Sequence, residues 1–206
     1  MEKYINKIIN DDCLNILKEL PDKCIDLVLT DPPYNIKRFN RKDGGNTKKI
    51  QSFGDIDKEW NKFEVTKEYF DEIFRVSKKQ IIFGMNNFEL PKTEHFIVWD
   101  KGQKMPSFAE CELAYSSCST PAKIIRCRFE TNKLHPAQKP LKLFEIILRD
   151  YSNENDLILD CFSGSGTTAI ACRNLNRRFI CIEKDEEYYK KSVERFKNTY
   201  AKRGII

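Results

Sequence analysis

The chain has 206 residues, 33% of them charged, and 36 Lys and Arg against 31 Asp and Glu give a formal net charge of +5. That length is enough for one well-buried core and too short for a catalytic domain joined to a large recognition domain. No secretory signal and no run of about 18 apolar residues is present, and the eight cysteines form neither a Cys-x-x-Cys pair nor a metal-ligand spacing, so a cytoplasmic protein without membrane partner or metal is expected.

Apolar periodicity predicts strands near 6–10, 25–30, 79–84, 94–99, 111–117, 156–161 and 178–183. It predicts helices near 12–20, 65–77, 140–151, 166–175 and 185–200. Strands alternating with helices imply an α/β domain whose mostly parallel sheet is covered on both faces. The second strand, Ile25-Asp26-Leu27-Val28-Leu29-Thr30, runs directly into Asp31-Pro32-Pro33-Tyr34. Open α/β sheets keep their chemistry at such carboxyl ends. Asp31 offers carboxylate oxygens to an N–H, and Tyr34 offers a ring face to a base. Pro32 and Pro33 have no N–H and a fixed φ, so they hold a rigid turn with outward carbonyls. The same residue types also make ordinary turns. Lys37, Arg38, Arg41 and Lys42 follow, beside Gly44-Gly45 and Lys48-Lys49. They suit either a phosphate-gripping loop or a solvated one, in line with a basic excess that suits a polyanion without requiring one.

Farther on, His135-Pro136-Ala137-Gln138-Lys139-Pro140 precedes a helix-like apolar stretch. Residues 156–168 then read as a short strand, the turn Cys161-Phe162-Ser163-Gly164-Ser165-Gly166, and a helix opening at Thr167-Thr168. Glycines let backbone approach a ligand at a βα turn. The next strand ends in Glu183, an acid placed to accept from ribose hydroxyls. This is a nucleoside-binding unit or a ligand-free tight turn. It is not a phosphate loop, because no Gly-Lys-Ser/Thr follows, and it lacks the third glycine of the dinucleotide fingerprint. In the last helix Tyr188, Tyr189, Val193, Phe196 and Tyr200 recur at helical spacing, as a core-facing stripe does.

Asp31-Pro32-Pro33-Tyr34 resembles the catalytic motif of the amino-methyltransferases, which methylate exocyclic base nitrogens with S-adenosylmethionine. Asp160-Cys161-Phe162-Ser163-Gly164-Ser165-Gly166 resembles their cofactor motif. The catalytic motif comes first, as in the permuted β class, and the His135–Pro140 stretch resembles that class's third element. The resemblance covers nearly the whole chain. It departs at Asp11, where a glycine is usual, and at Met85, where a second glycine is common. It implies one Rossmann-like methyltransferase domain over 1–206, with seven strands, one of them antiparallel, and substrate-facing insertions near 37–64 and 101–134. It implies S-adenosylmethionine as cofactor, surrounded by Asp12, Cys13, Asp31, His135, Gln138, Lys139, Asp160, Phe162, Ser163, Gly164, Ser165, Gly166, Thr167, Thr168, Glu183 and Lys184. Gln138 and the following helix N-terminus would hold the methionine carboxylate. Asp12 would accept from the adenine amine or, alternatively, cap a helix.

The catalytic group is then Asp31, Pro32, Pro33 and Tyr34. DNA is the implied partner, gripped by Lys37, Arg38, Arg41, Lys42, Lys123, Arg126 and Arg128, and its adenine N6 the expected target. Asp at the first motif position leans toward adenine, since cytosine-amine enzymes more often carry Ser there. A homodimer and a cognate restriction endonuclease stay open as further partners. So do a cytosine-N4 target, an RNA substrate, and an inactive nucleic-acid-binding module on the same fold.

Overall fold

Short, nearly continuous apolar runs build the central strands of the sheet, buried on both faces. The computed structural model describes residues 1–34, 63–103, 109–129, 134–135 and 137–201. The strands are β1 (Lys7–Asn10), β2 (Ile25–Thr30), β3 (Ser77–Phe83), β4 (Phe96–Asp100), β5 (Cys111–Ser116), β6 (Lys123–Arg126), β7 (Leu157–Asp160) and β8 (Arg178–Glu183). The α-helices among the described residues are α1 (Cys13–Glu19), α2 (Lys67–Val76), α3 (Leu141–Tyr151), α4 (Thr167–Asn174) and α5 (Glu186–Ala201). None of these helices is long and apolar enough to cross a membrane.

All eight strands join one sheet in the order β1-β8-β7-β2-β3-β5-β4-β6. Only β5 runs against its neighbours, pairing antiparallel with β3 and β4. The fold is therefore the expected one with an eighth strand in place of seven. The extra strand is β6, which pairs parallel with β4 at the sheet edge. Both β5 and β6 lie inside the stretch 101–134 expected as an insertion, so much of that stretch is sheet. The other expected insertion falls, up to residue 62, outside the described residues.

Successive strand residues face opposite sides, which splits the core into two layers. Leu27, Leu29, Ile81, Phe83, Ile158 and Phe179 pack under α3 and α4. Val28, Ile82, Leu159, Ile180 and Ile182 pack with Ile16, Leu17, Phe70 and Ile73 of α1 and α2. Arg75 ties those two helices together: its guanidinium donates to the Leu17 and Leu20 carbonyls at the end of α1 (2.8 and 2.9 Å). On α5 the most buried positions are Tyr188, Ser192 and Tyr200, with Phe196 packed on Phe179. The stripe thus repeats every four residues, and Tyr189 and Val193 flank it.

The topology places the chemistry. From β2 the chain proceeds to β3 on one side, and from β7 to β8 on the other, so a crevice opens between the carboxyl ends of β2 and β7. Because β5 is antiparallel, its first residues reach the same edge: Glu112 lies opposite Trp99 near the end of β4.

Candidate active site

A cavity of about 700 Å³ opens at that crevice, within the range of small-molecule sites. It brings together Asp12, Cys13, Asp31, Pro32, Pro33, Tyr34, His135, Gln138, Lys139, Asp160, Phe162, Gly164, Ser165, Thr167, Glu183 and Lys184, all expected from the sequence. It also recruits residues that no motif announced: Phe63, Trp99, Lys101, Glu112 and Phe129.

At the β7–β8 side the glycine turn wraps a carboxylate frame. Glu183 accepts the Gly164 N–H on Oε2 (2.7 Å) and the Asp185 N–H on Oε1 (2.9 Å). Burial pushes its carboxyl up to about 7. Asp160 is buried and spans the crevice, accepting from the Thr30 hydroxyl (2.8 Å), the Thr168 hydroxyl and the Phe162 N–H. Burial raises it to about 6. Thr168 therefore braces Asp160 and does not line the cavity, and Ser163 and Gly166 do not line it either. Gly166, at φ +74°, makes its close approach to α5: a Cβ there would sit 3.1 Å from Ser192 Cβ. Ser163 Oγ is buried and has no hydrogen-bond partner among the described residues.

Asp12 caps α1 as the N-cap reading has it, accepting the Leu14 N–H on Oδ1 (3.0 Å). The Tyr69 hydroxyl (3.0 Å) and the Lys184 ammonium (2.9 Å) also bind its carboxylate. Burial opposes the charge, but these donors outweigh it and hold Asp12 below the usual range. Phe63, Tyr69 and Phe162 form an aromatic wall beside it, and Lys184 Nζ lies 4.4 Å from the Phe63 ring centroid. His135 packs edge-on against Tyr188 at 4.2 Å, and its Nδ1 accepts the Ala137 N–H (3.1 Å). Gln138 Oε1 accepts the Leu134 N–H (3.0 Å), so its carbonyl end braces the loop.

At the β2–β5 side a buried charge cluster surrounds Asp31. The Tyr34 hydroxyl donates to Asp31 Oδ1 (2.5 Å), and the Lys139 ammonium donates to Oδ2. Lys139 also meets Glu112 Oε2 (3.0 Å), whose other oxygen pairs with Lys101 (2.6 Å). Burial, reinforced by Glu112, pushes the Asp31 carboxyl up against the pull of Lys139. Burial works against the Lys139 charge as well, but Asp31 and Glu112 outweigh it and keep the amine protonated. Lys139, expected beside the cofactor, lines the cavity and also sits against Asp31. Tyr34 is held in place by Gly84, which has φ +72°: a Cβ there would lie 2.2 Å from Tyr34 Cε1. Phe88 meets the Tyr34 ring edge-on at 6.0 Å.

The expected DNA contacts divide. Lys37, Arg38, Arg41 and Lys42 lie outside the described residues. Arg126 stands at the carboxyl end of β6 and pairs with Asp100 (2.7 Å), and the Arg128 side chain covers Gly102, on the cavity's edge of the sheet. Lys123 stands at the other end of β6 and pairs with Asp150 (2.5 Å). A four-residue strand carries it to the edge opposite the cavity, away from the site.

These residues fit S-adenosylmethionine. The cavity lining carries six carboxylates (Asp12, Asp31, Glu112, Asp160, Glu183, Asp185) against three lysines (Lys101, Lys139, Lys184), so a cationic sulfonium offsets an existing excess of negative charge. The aromatic wall suits an adenine, and Glu183 retains lone pairs for ribose hydroxyls.

Known proteins agree. Residues 98–194 match the N6/N4 methyltransferase family profile, described as DNA methylase. The type II methyltransferase M.HinfI of Haemophilus influenzae is 26% identical over 245 residues, covering 90% of this chain and 66% of its own length. The crystal structure of the M1.HpyAVI–SAM complex superposes with a TM-score of 0.64 at 25% identity, covering 92% of this chain and 98% of that one. The PvuII DNA methyltransferase (cytosine-N4-specific) shares the fold, with a TM-score of 0.62 at 18% identity over 95% of this chain and 91% of its own. On its motifs, its fold and these matches, the chain is similar to the DNA amino-methyltransferases, the N6/N4 enzymes that use S-adenosylmethionine.

Proposed function

We propose that the protein methylates the exocyclic N6 amine of an adenine turned out of DNA. The observation that carries the reading is the half-buried Asp31 carboxylate at the mouth of the β2–β7 crevice, with the Tyr34 ring beside it. An aromatic amine is a poor nucleophile because its lone pair is delocalised into the ring. Asp31 and the Pro32 carbonyl accept its two hydrogens, which favours a tetrahedral nitrogen with a directed lone pair. Tyr34 stacks on the extruded base. S-adenosylmethionine, held by Glu183 and the glycine turn, supplies an activated methyl group. Orientation and fixed charge carry the catalysis, with no covalent enzyme intermediate. Arg126 and Arg128, on the cavity's edge of the sheet, would meet phosphates.

The test is methylation of genomic DNA in vitro followed by nucleoside mass spectrometry. N6-methyladenine is expected. N4-methylcytosine as the product would overturn the choice of base, and methylation of RNA alone would overturn the choice of polymer.

The placement of Tyr34 makes a further expectation concrete. Gly84→Ala drives a Cβ into the Tyr34 ring and lowers kcat/KM for DNA by about tenfold or more, the scale of losing a base–aromatic stack worth roughly 1–3 kcal/mol. Cofactor affinity stays unchanged. Steady-state kinetics of Gly84→Ala, Tyr34→Ala and the double variant check it, and additive losses would show that Gly84 acts elsewhere.

Glu183 ties cofactor affinity to pH. Its carboxyl sits at about 7 in the free protein because burial disfavours the charge. Ribose hydroxyls donate best to the carboxylate, and the sulfonium also favours it, so binding lowers this pKa. Affinity is therefore full above about pH 7 and falls toward tenfold per pH unit below it. Glu183→Gln binds more weakly and shows a flat profile. Calorimetry from pH 6 to 8.5 decides, and a pH-independent wild-type affinity contradicts the role.

A further inference from the structure

Behind the glycine turn, Arg195 of α5 makes a contact that none of the motifs explains. Its Nη1 donates to the Ser165 carbonyl (3.1 Å), to Ser165 Oγ (3.1 Å) and to Thr167 Oγ1 (3.0 Å). Both hydroxyls are buried and both line the cavity. They lie 3.1 Å apart. A hydroxyl has one proton to donate and two lone pairs to accept with. Arg195 has no lone pair to offer, so it can only fill acceptor positions on both oxygens. One hydroxyl proton bridges Ser165 and Thr167. Among the described residues the second has no acceptor nearer than the Lys139 carbonyl, 3.5 Å from Thr167 Oγ1, and is left to the cavity. Thr167 also opens α4, whose N-cap Gly166 provides no side-chain cap. The first N–H groups of that helix therefore face the same region without an intrahelical acceptor.

We propose that Arg195 is a positioning residue that fixes the polarity of the Ser165–Thr167 pair, so that together with the α4 N-terminus it donates to the carboxylate at the amino-acid end of the cofactor. The guanidinium itself stays behind the turn and acts through the two hydroxyls and its charge. The carboxylate-binding donors then belong to the glycine turn and the start of α4, where Gln138 and the start of α3 were the expectation from sequence. Their neighbourhood is shared, since Thr167 lies against the Lys139 carbonyl.

The inference rests on the placement of the cofactor in this cavity, and two adenosine ligands separate the two claims. S-adenosylhomocysteine carries the amino-acid end, and 5′-deoxy-5′-methylthioadenosine lacks it. Calorimetry on the full chain compares wild type, Arg195→Ala, Arg195→Lys and Gly164→Val. Arg195→Ala is expected to weaken S-adenosylhomocysteine by roughly tenfold or more, the scale of a charge-assisted hydrogen bond, and to leave methylthioadenosine within about twofold. Arg195→Lys, which keeps a cationic donor, recovers most of the loss. Equal weakening of both ligands would reduce Arg195 to a scaffold for the turn and overturn the proposal, as would no weakening of either. Gly164→Val is expected to weaken both ligands together. If it weakens neither, the cofactor's placement fails first, and the role of Arg195 with it.

Discussion

Asp31→Asn is expected to lower kcat by a hundredfold or more, about 2.7 kcal/mol of transition-state stabilisation, while the dissociation constant for S-adenosylmethionine shifts by less than about threefold. The amide still accepts from the Tyr34 hydroxyl, which keeps the ring in place. It cannot carry the charge that draws hydrogen from a base amine, and Lys139 keeps Glu112 as a counter-ion, so the fold survives. Single-turnover methylation beside cofactor calorimetry makes the measurement. A variant with more than a tenth of wild-type kcat would rule out Asp31 as the amine's acceptor.

Lys139→Met tests the other half of the cluster. Removing the ammonium leaves Asp31 and Glu112 facing each other in a buried site, one of the few changes that costs about 3–5 kcal/mol. For a chain of this size that is a fall in Tm of roughly 6–20 °C. The loss depends on pH with a definite sign. Without Lys139 both carboxyls have folded-state pKa values raised above their unfolded ones. The variant is then nearest to wild type below about pH 4, the unfolded carboxylate value, and grows weaker as pH rises through the raised values. Glu112→Gln added to Lys139→Met removes one of the stranded charges and recovers part of the stability. Thermal melts between pH 5 and 8.5 check both statements. A fall of under about 2 °C at pH 8 would mean that solvent already screens the cluster.

The reach of the sequence can be judged element by element. Every described α-helix was legible: four bury one stripe, while α4, buried over its first six residues, directly follows the glycine turn. The glycine turn and Asp31–Tyr34 were legible because they sit directly after apolar strands. β6 was not: it has four residues, lies at an edge, and buries only Ile125, leaving too little alternation to detect. Glu112 was missed for a topological reason. Its strand was foreseen, but only knowing that β5 is antiparallel carries its first residues to the reactive edge. Lys139 was noticed as a site residue but its ion pairs were not foreseen, since nothing local to His135–Pro140 tells which acid across the crevice it meets. Gly84 was passed over because a left-handed glycine after a strand reads as a turn. What it accommodates, the Tyr34 ring, lies far away in sequence.

The strand order has a consequence for how the molecule comes into being on the ribosome. Among the described strands β1, the first in chain order, pairs with β8, the last, and β2 gains its second neighbour only when β7 arrives. The acid that would hold the target amine and the turn that would hold the methyl donor therefore come together only once β7 has been made. A nascent chain stopped before β7 has an open sheet edge at β2 and half a crevice. Such long loop closures are slow and leave that edge exposed to other chains meanwhile. The crevice thus forms in one step with completion of the sheet.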